Sequence, residues 1–203
     1  MTDHPVPDIE QGARVRISGT PRVRRVPGAR IVCGDDVVLN SSWEGYHSAM
    51  PFPVTLIADR PGAQITIGAR SRLHGCCIHA WSSVTLGQAC LVAAGAQILD
   101  AHGHSAALEH ARLRTRVQDR PAEIVIGDYC WIGLGALVLK GVHLGEGCIV
   151  GAGAVVMPGE YPPFSLVAGV PARVVRTVEA SAVLPEDGLD DLLLRADVTR
   201  LDY

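Results

Sequence analysis

Between Leu99 and Glu123 lies the segment in which this sequence concentrates groups able to move a proton. Residues 100–122, DAHGHSAALEHARLRTRVQDRPA, open with Asp100, His102 and His104 in alternate positions and add His110 further on. An imidazole whose unperturbed pKa is about 6.5 is suited to take a proton from an alcohol near neutral pH. A carboxylate at Asp100 is placed to orient the loop or the base. Composition alone gives a lone loop histidine an exposed and idle role, and His47, His110 and His143 take that reading. The segment is polar throughout, so it must leave a packed scaffold and return to it, and long loops on rigid scaffolds are where function sits.

The scaffold is legible on both sides of that loop. Downstream, residues 124–157 repeat every sixth position: Ile126, Ile132, Val138, Leu144, Val150 and Val156 are all branched aliphatics. Glycine follows four of them, at Gly127, Gly133, Gly145 and Gly151, where it permits tight corners. Four positions after the first five come Cys130, Ala136, Val142, Cys148 and Ala154. A helix face would repeat near 3.6 residues and a half-buried strand at 2, whereas a fixed period of six marks a parallel β-helix. Three hexads form one triangular turn of about 18 residues, stacked about 4.8 Å above the last. The spacing therefore places Ile126 under Leu144, Ile132 under Val150, and Val138 under Val156.

Upstream the same beat is weaker. Residues 1–13 read as a loose entry segment, and the hexads begin at Ile17 and Val23 and return at Cys33 and Leu39. Residues 40–54 break the pattern and hold Trp43, Tyr46, His47 and Phe52, rings that either pack over the first turns or line a site. The beat resumes at Ile67 and Leu73, slips by a residue around HAWSSVT, and continues at Leu86, Val92 and Ile98. After Val156 the phase is lost through PGEYPPF, and SLVAGVPARVVRTV reads as a last partial turn carrying Arg173 and Arg176. The tail EDGLDDLLLRADVTRLDY reads as a short amphipathic helix capping the open end. The organisation expected is an all-β solenoid over residues 1–178, with loops 40–54 and 100–122 protruding, followed by a helical tail at 179–203.

Bulk properties narrow the classes. At 203 residues the chain fits one domain with a sizeable core, and a net charge of −3 leaves no electrostatic footprint for nucleic acid. Aromatics at 4% beside 22 glycines suit a coil whose core is Val, Ile, Leu, Ala and Cys. MTDHPVPDIEQ lacks the parts of a signal peptide, and no apolar run is long enough to span a bilayer, so a cytoplasmic protein is expected. Cys33, Cys76, Cys77, Cys90, Cys130 and Cys148 show neither a CxxC pair nor metal-ligand spacing, so reduced core thiols and no metal site are expected.

The ladder, the loop with Gly103-His104, the WIG at 131–133, the GAG at 151–153 and the closing AGVPARVVR together resemble the hexapeptide-repeat acyltransferases. The branch most similar is that of the sugar O-acetyltransferases, namely the galactoside, maltose and surface-polysaccharide enzymes. The resemblance is good over 60–178 and loose over the N-terminal third. It implies a left-handed β-helix, a homotrimer with active sites between subunits, acetyl-CoA as donor, and a sugar hydroxyl as acceptor in polysaccharide biosynthesis. It selects His104 as general base, with His102 as second candidate, since His102 stands where a second acid is common. Transfer would be direct, in a ternary complex. Leu134 and Ala152, with Gly133 beside them, take the positions that line the pantetheine arm, Trp131 either neighbours the adenine or acyl pocket or packs at a corner, and Arg173 and Arg176 match the basic residues near the CoA phosphates. Met157-Pro158 replaces the family's Thr-Lys pair, which removes one expected phosphate contact.

Two other functions compete. A zinc carbonic anhydrase on the same scaffold would use His79, His104 and His110, although the paired spacing it needs is absent. A non-catalytic β-helix used for assembly would have no need of the DAHGH loop. His74 and His79 are possible lining for the acceptor pocket.

Overall fold

Alternating branched aliphatics drive each short strand: in Ile124–Ile126 the outer two residues are buried and the middle one faces outward. In the computed structural model, which describes residues 8–188 and Leu193, such strands fall into three sheets. Within each sheet a strand's neighbour is the third strand on along the chain, so the backbone coils around a three-sided core. The first sheet runs from Glu10–Gln11 to Gly159–Tyr161, the second from Arg16–Ser18 to Ala172–Thr177, and the third from Val155–Val156 back to Arg22–Arg25. All pairings are parallel except the last of the second sheet.

The expected ladder is present. Ile126 lies opposite Leu144, Ile132 opposite Val150 and Val138 opposite Val156, and all six side chains are buried. Each such burial contributes about 1.5–3 kcal/mol, so the stability of the coil accumulates turn by turn. The slip around residues 79–85 is also present: Ile67 pairs with Leu86 rather than Thr85, and the corner at Trp81 and Ser82 absorbs the extra length.

The glycines of the ladder act differently from the expectation. Gly133 has an ordinary backbone, but a Cβ there would sit 2.7 Å from the Ala152 nitrogen of the next turn. The left-handed corner positions are elsewhere. Between the first and second sheets they fall on Arg14, Asp36, Arg70, Ala89, Tyr129, Gly147 and Phe164, with φ from 52° to 65°. Glycine is thus required where successive turns approach closely, at Gly127 and Gly145 of this corner as at Gly133, while the left-handed position of the same corner tolerates ordinary residues in a conformation costing roughly 1–2 kcal/mol each.

Four further expectations meet mixed outcomes. The coil begins inside the supposed entry segment, because Glu10 and Gln11 pair with Val32 and Cys33. The phase slips through PGEYPPF as expected, while the coil itself continues: Leu144 lies opposite Tyr161 instead of Pro162, and Tyr161 packs on the core. The stretch Ser165–Gly169 forms the expected last partial turn, parallel on the second sheet with Leu166 opposite Ile149, but Ala172–Thr177 then folds back along it as an antiparallel hairpin strand. In loop 40–54, Tyr46 stacks on His74 with ring centroids 4.9 Å apart, whereas Trp43 is 71% exposed and does not pack. The helix expected in 179–203 falls largely outside the described residues; the described part holds one 3-10 turn, Ala180–Ala182.

All six cysteines are free, five of them buried and Cys77 half-buried. Burial pushes the Cys33 thiol up to about 12. Cys90, Cys130 and Cys148 stack in successive turns, and each thiol donates over 3.2 Å to a carbonyl of the following turn, at Gly127, Gly145 and Pro162. Among the described residues no helix is long and apolar enough to cross a membrane.

Candidate functional site

Loop 100–122 leaves the third sheet after strand Gln97–Leu99 and joins the first at Ile124–Ile126. Its ends are tied together, since the Ala122 N–H donates to the Asp100 carbonyl over 2.9 Å. The coil continues in register beneath it, with Leu86 opposite Ile126 and Leu99 opposite Leu139.

Asp100 stands at the root of the loop with no exposed surface. One carboxylate oxygen accepts the Trp81 N–H at 2.8 Å and the other accepts those of Ser82 and Ser83 at 2.7 and 2.9 Å. Burial pushes this carboxyl above its ordinary range, against the pull of those three N–H groups and of His79. The geometry is that of a group fixing the corner from which the loop springs.

Further out, the loop is anchored by Lys140, the single lysine of the chain. Its ammonium makes a very short contact with the Asp119 carboxylate and donates to the Arg120 carbonyl over 2.9 Å. Lys140 holds the Asp119 carboxyl below the usual carboxylate range. The same carboxylate lies 3.5 Å from His102 Nδ1, beyond a good hydrogen bond but within electrostatic reach.

His104 is exposed, and its Nδ1 lies 3.0 Å from the carbonyl oxygen of Arg114. A carbonyl can only accept, so in the neutral ring Nδ1 carries the proton and Nε2 keeps its lone pair. The Arg114 side chain turns back to donate from Nε to the Ser105 carbonyl at 2.8 Å and from Nη2 to the Ala107 carbonyl at 3.0 Å. Ser105, itself buried, holds His110 Nδ1 at 2.7 Å through its hydroxyl. At the loop's flank His79 pairs with Asp59 over 3.1 Å, and the Arg60 guanidinium sits 4.3 Å over the Trp81 ring. Trp81 Nε1 is buried without a partner among the described residues.

The residues expected to hold a donor lie elsewhere on the coil. Trp131 points outward from the second sheet, 49% exposed, with Ile149 directly beneath it and Leu166 beneath that. With Arg176 these three line a largely apolar groove of about 1000 Å³. Residues 178–186 wall it, and they are latched where the Glu186 carboxylate accepts from the Tyr129 hydroxyl at 2.6 Å and from Arg70 at 3.2 Å. Gly133, Leu134 and Ala152 occupy the corner between the second and third sheets, where Gly153 donates to the Leu134 carbonyl over 2.8 Å. One turn earlier at that corner, the N–H of Ala94 donates to the Tyr46 hydroxyl at 3.2 Å. Arg173, on the hairpin, donates to the carbonyl of Ala172 at 2.8 Å.

Two groups of residues therefore emerge. Asp100, His102 and His104 gather at the corner between the third and first sheets, and the six donor-side residues follow the second sheet and its far corner. Among the described residues no hydrogen bond, ion pair or ring contact joins the groups. His79, His104 and His110 each face a different partner, and no three His, Cys, Asp or Glu of the described residues come together as metal ligands. Arg114, Asp119 and Lys140 were absent from the sequence-level candidates. Lys140 carried a usable signal in being the chain's single lysine, set where the ladder turns; Arg114 and Asp119 sit in a polar stretch without period.

Residues 123–158 match the hexapeptide repeat of succinyl-transferase. No curated protein sequence matches the chain. Among solved structures, AntD, an N-acyltransferase from Bacillus cereus in complex with dTDP and 3-hydroxybutyryl-CoA, is similar with a TM-score of 0.63 at 15% identity, over 91% of this chain and 88% of that one. A maltose O-acetyltransferase from Clostridium difficile 630 is similar with a TM-score of 0.53 at 19% identity, over 85% of this chain and 71% of that one. A galactoside acetyltransferase in complex with coenzyme A gives 0.53 at 22% identity, over 85% and 67%. At these identities the likeness is one of fold.

Proposed function

We propose that this chain, whose repeat and fold are those of hexapeptide-repeat acyltransferases, is an acetyl-CoA-dependent O-acetyltransferase acting on a hydroxyl of a sugar or polysaccharide precursor. The observation that carries the reading is the hydrogen bond from His104 Nδ1 to the Arg114 carbonyl, which leaves Nε2 of an exposed imidazole as a free base in a braced loop. In the reaction His104 Nε2 takes the acceptor's hydroxyl proton as the oxygen attacks the thioester carbonyl. The C–S bond then breaks, and the departing CoA thiolate takes the proton from the imidazolium. Backbone N–H groups of the coil stabilise the oxyanion. Asp100 holds the root of the loop, and His102, with Asp119 behind it, serves as a secondary polar neighbour.

The donor lies along the second sheet and its corner, with Leu134, Gly133 and Ala152 along the pantetheine arm and Trp131 near the adenine or acyl group. Arg173 and Arg176 meet the phosphates, where guanidinium binds in a bidentate manner. The separation of the donor residues from the histidine loop within one chain supports a site completed by a second subunit of a homotrimer, with the coil left-handed. The catalytic unit is residues 1–178, and 179–203 is an appended tail.

A second reading has an amino group as acceptor. It is favoured by the similarity in fold to AntD, an N-acyltransferase crystallised with dTDP and 3-hydroxybutyryl-CoA. The chemistry at His104 is unchanged, because an ammonium must likewise lose a proton before attack.

The test is incubation with acetyl-CoA and a panel of sugars, nucleotide sugars and amino sugars, following release of free thiol. Turnover with a hydroxyl acceptor is expected, lost in His104→Ala and only reduced in His102→Ala. Complete loss in His102→Ala alone would reverse the assignment of the base. Stoichiometric zinc with carbon dioxide hydration, or failure of the chain to bind CoA at all, would replace the reading with one of its two competitors.

A further inference from the structure

His104 depends on a main-chain carbonyl for its tautomer, and that carbonyl belongs to a loop with no regular strand and only two single-turn 3-10 helices, Leu108–His110 and Arg114–Arg116. Something must hold it. Arg112, Arg116 and Arg120 are exposed, whereas Arg114 is half-buried and makes two donations inside the loop. Arg114 closes a ring: its Nε donates to the Ser105 carbonyl at 2.8 Å, its Nη2 donates to the Ala107 carbonyl at 3.0 Å, and its own carbonyl accepts from His104 Nδ1 at 3.0 Å. Ser105 strengthens the same ring through its hydroxyl, which accepts the Ala107 N–H at 3.3 Å. The residue next to the base and the residue bonded to the base are thus tied to each other by one side chain.

Resting on the assignment of His104 as base, we infer that Arg114 is a positioning residue: its guanidinium clamps residues 105–107 so that its own carbonyl fixes the imidazole with Nδ1 protonated and Nε2 open. Arg114 touches no reacting atom in this scheme. Because the acceptor for Nδ1 is main chain, substitution leaves that carbonyl present but untethered, and the effect is on orientation rather than on the existence of the bond. A lysine at this position could reach one carbonyl and not both, since it lacks the planar fork.

The experiment compares the wild-type chain with Arg114→Met and Arg114→Lys. The histidine tautomer is read by 15N imidazole NMR at a pH where the ring is neutral, with the His104→Ala spectrum identifying the signals. The wild type is expected to show His104 protonated at Nδ1 alone, Arg114→Met a mixture with the Nε2 form, and Arg114→Lys an intermediate. With acetyl-CoA and an active acceptor, kcat is expected to fall about tenfold to a hundredfold in Arg114→Met, the scale of a misplaced catalytic group, with KM for acetyl-CoA unchanged and partial recovery in Arg114→Lys. A wild-type ring protonated at Nε2, or an Arg114→Met variant with the wild-type tautomer and kcat, overturns the inference. A drop in activity that moves KM with kcat while the tautomer stays put also overturns it, as that is a general loosening. If the tautomer shifts as expected but no acceptor turns over in the wild type, the clamp stands and the acyltransfer reading falls.

Discussion

Replacing Asp100 separates a residue that holds the loop from one that takes part in chemistry. Its carboxylate is fully buried and accepts three N–H groups, from Trp81, Ser82 and Ser83. In Asp100→Ala all three donors lose their acceptor. At about 1–3 kcal/mol for each buried donor left unsatisfied, with water from the adjacent loop satisfying part of the loss, the expected cost is about 3–5 kcal/mol. Asp100→Asn keeps an oxygen for Ser82 and Ser83 but turns an NH₂ toward the Trp81 N–H. One donor is orphaned, and the cost is about 1–3 kcal/mol. Set against a total stability of about 5–15 kcal/mol, the alanine variant is severely weakened and the asparagine variant moderately so. Urea unfolding followed by circular dichroism, at one fixed protein concentration so that any association of copies is held constant, reads both values. Two variants of equal stability, or an alanine variant within about 1 kcal/mol of wild type, would refute the three-acceptor argument. An asparagine variant that is fully folded yet as inactive as His104→Ala would instead make Asp100 a participant.

Two other predictions test the bracing of the loops. Lys140 holds Asp119 below the usual carboxylate range, so the stabilising contribution is complete above the ordinary Asp value and lost as pH falls through the lowered one. Amide exchange across residues 117–122, corrected for intrinsic rates, should therefore accelerate below about pH 4, with no such step in Lys140→Met. Gly75→Ala places a Cβ against Met50 and 2.7 Å from the Phe52 carbonyl, at a φ of +41°. It should lever loop 40–54 off the coil, costing about 1–3 kcal/mol and exposing that loop to proteolytic nicking while the rest of the coil resists. An intact loop at equal protease dose would show that the loop is not seated on Gly75.

The ladder was readable because its period is set by geometry that no tertiary contact can alter: three faces per turn impose six residues between aliphatics. That is why Ile126, Ile132 and Val138 met their partners as expected. Where turns vary in length the period fades although the coil persists. Ile17 lies opposite Leu39 and Val23 opposite Leu56, with loop 40–54 between the second pair, so sequence spacing understates how early the coil begins. The beat after Val156 falls on Pro162, but that turn is one residue short and Tyr161 takes the place opposite Leu144, so counting by six misses it. In the loop, His104 and His102 were visible as residue types, but their partners were not. The bond from His104 goes to a main-chain oxygen, which has no residue signature, and Arg114 acts through backbone carbonyls in the same way.

A stack of parallel strands ends in rows of unpaired N–H and C=O groups, each a template for another strand, and a coil with two bare ends would polymerise along its axis. Here the third sheet starts on Arg22–Arg25, whose three arginines are all exposed, so two such ends repel one another. At the opposite end the hairpin strand Ala172–Thr177 runs antiparallel along the second sheet, and Pro162 and Pro163, which follow the last strand of the first, offer no N–H. Growth from end to end is opposed at both terminals of the stack. Any association of copies is thereby directed to the sides of the coil, where a closed ring has a definite size and a fibre does not.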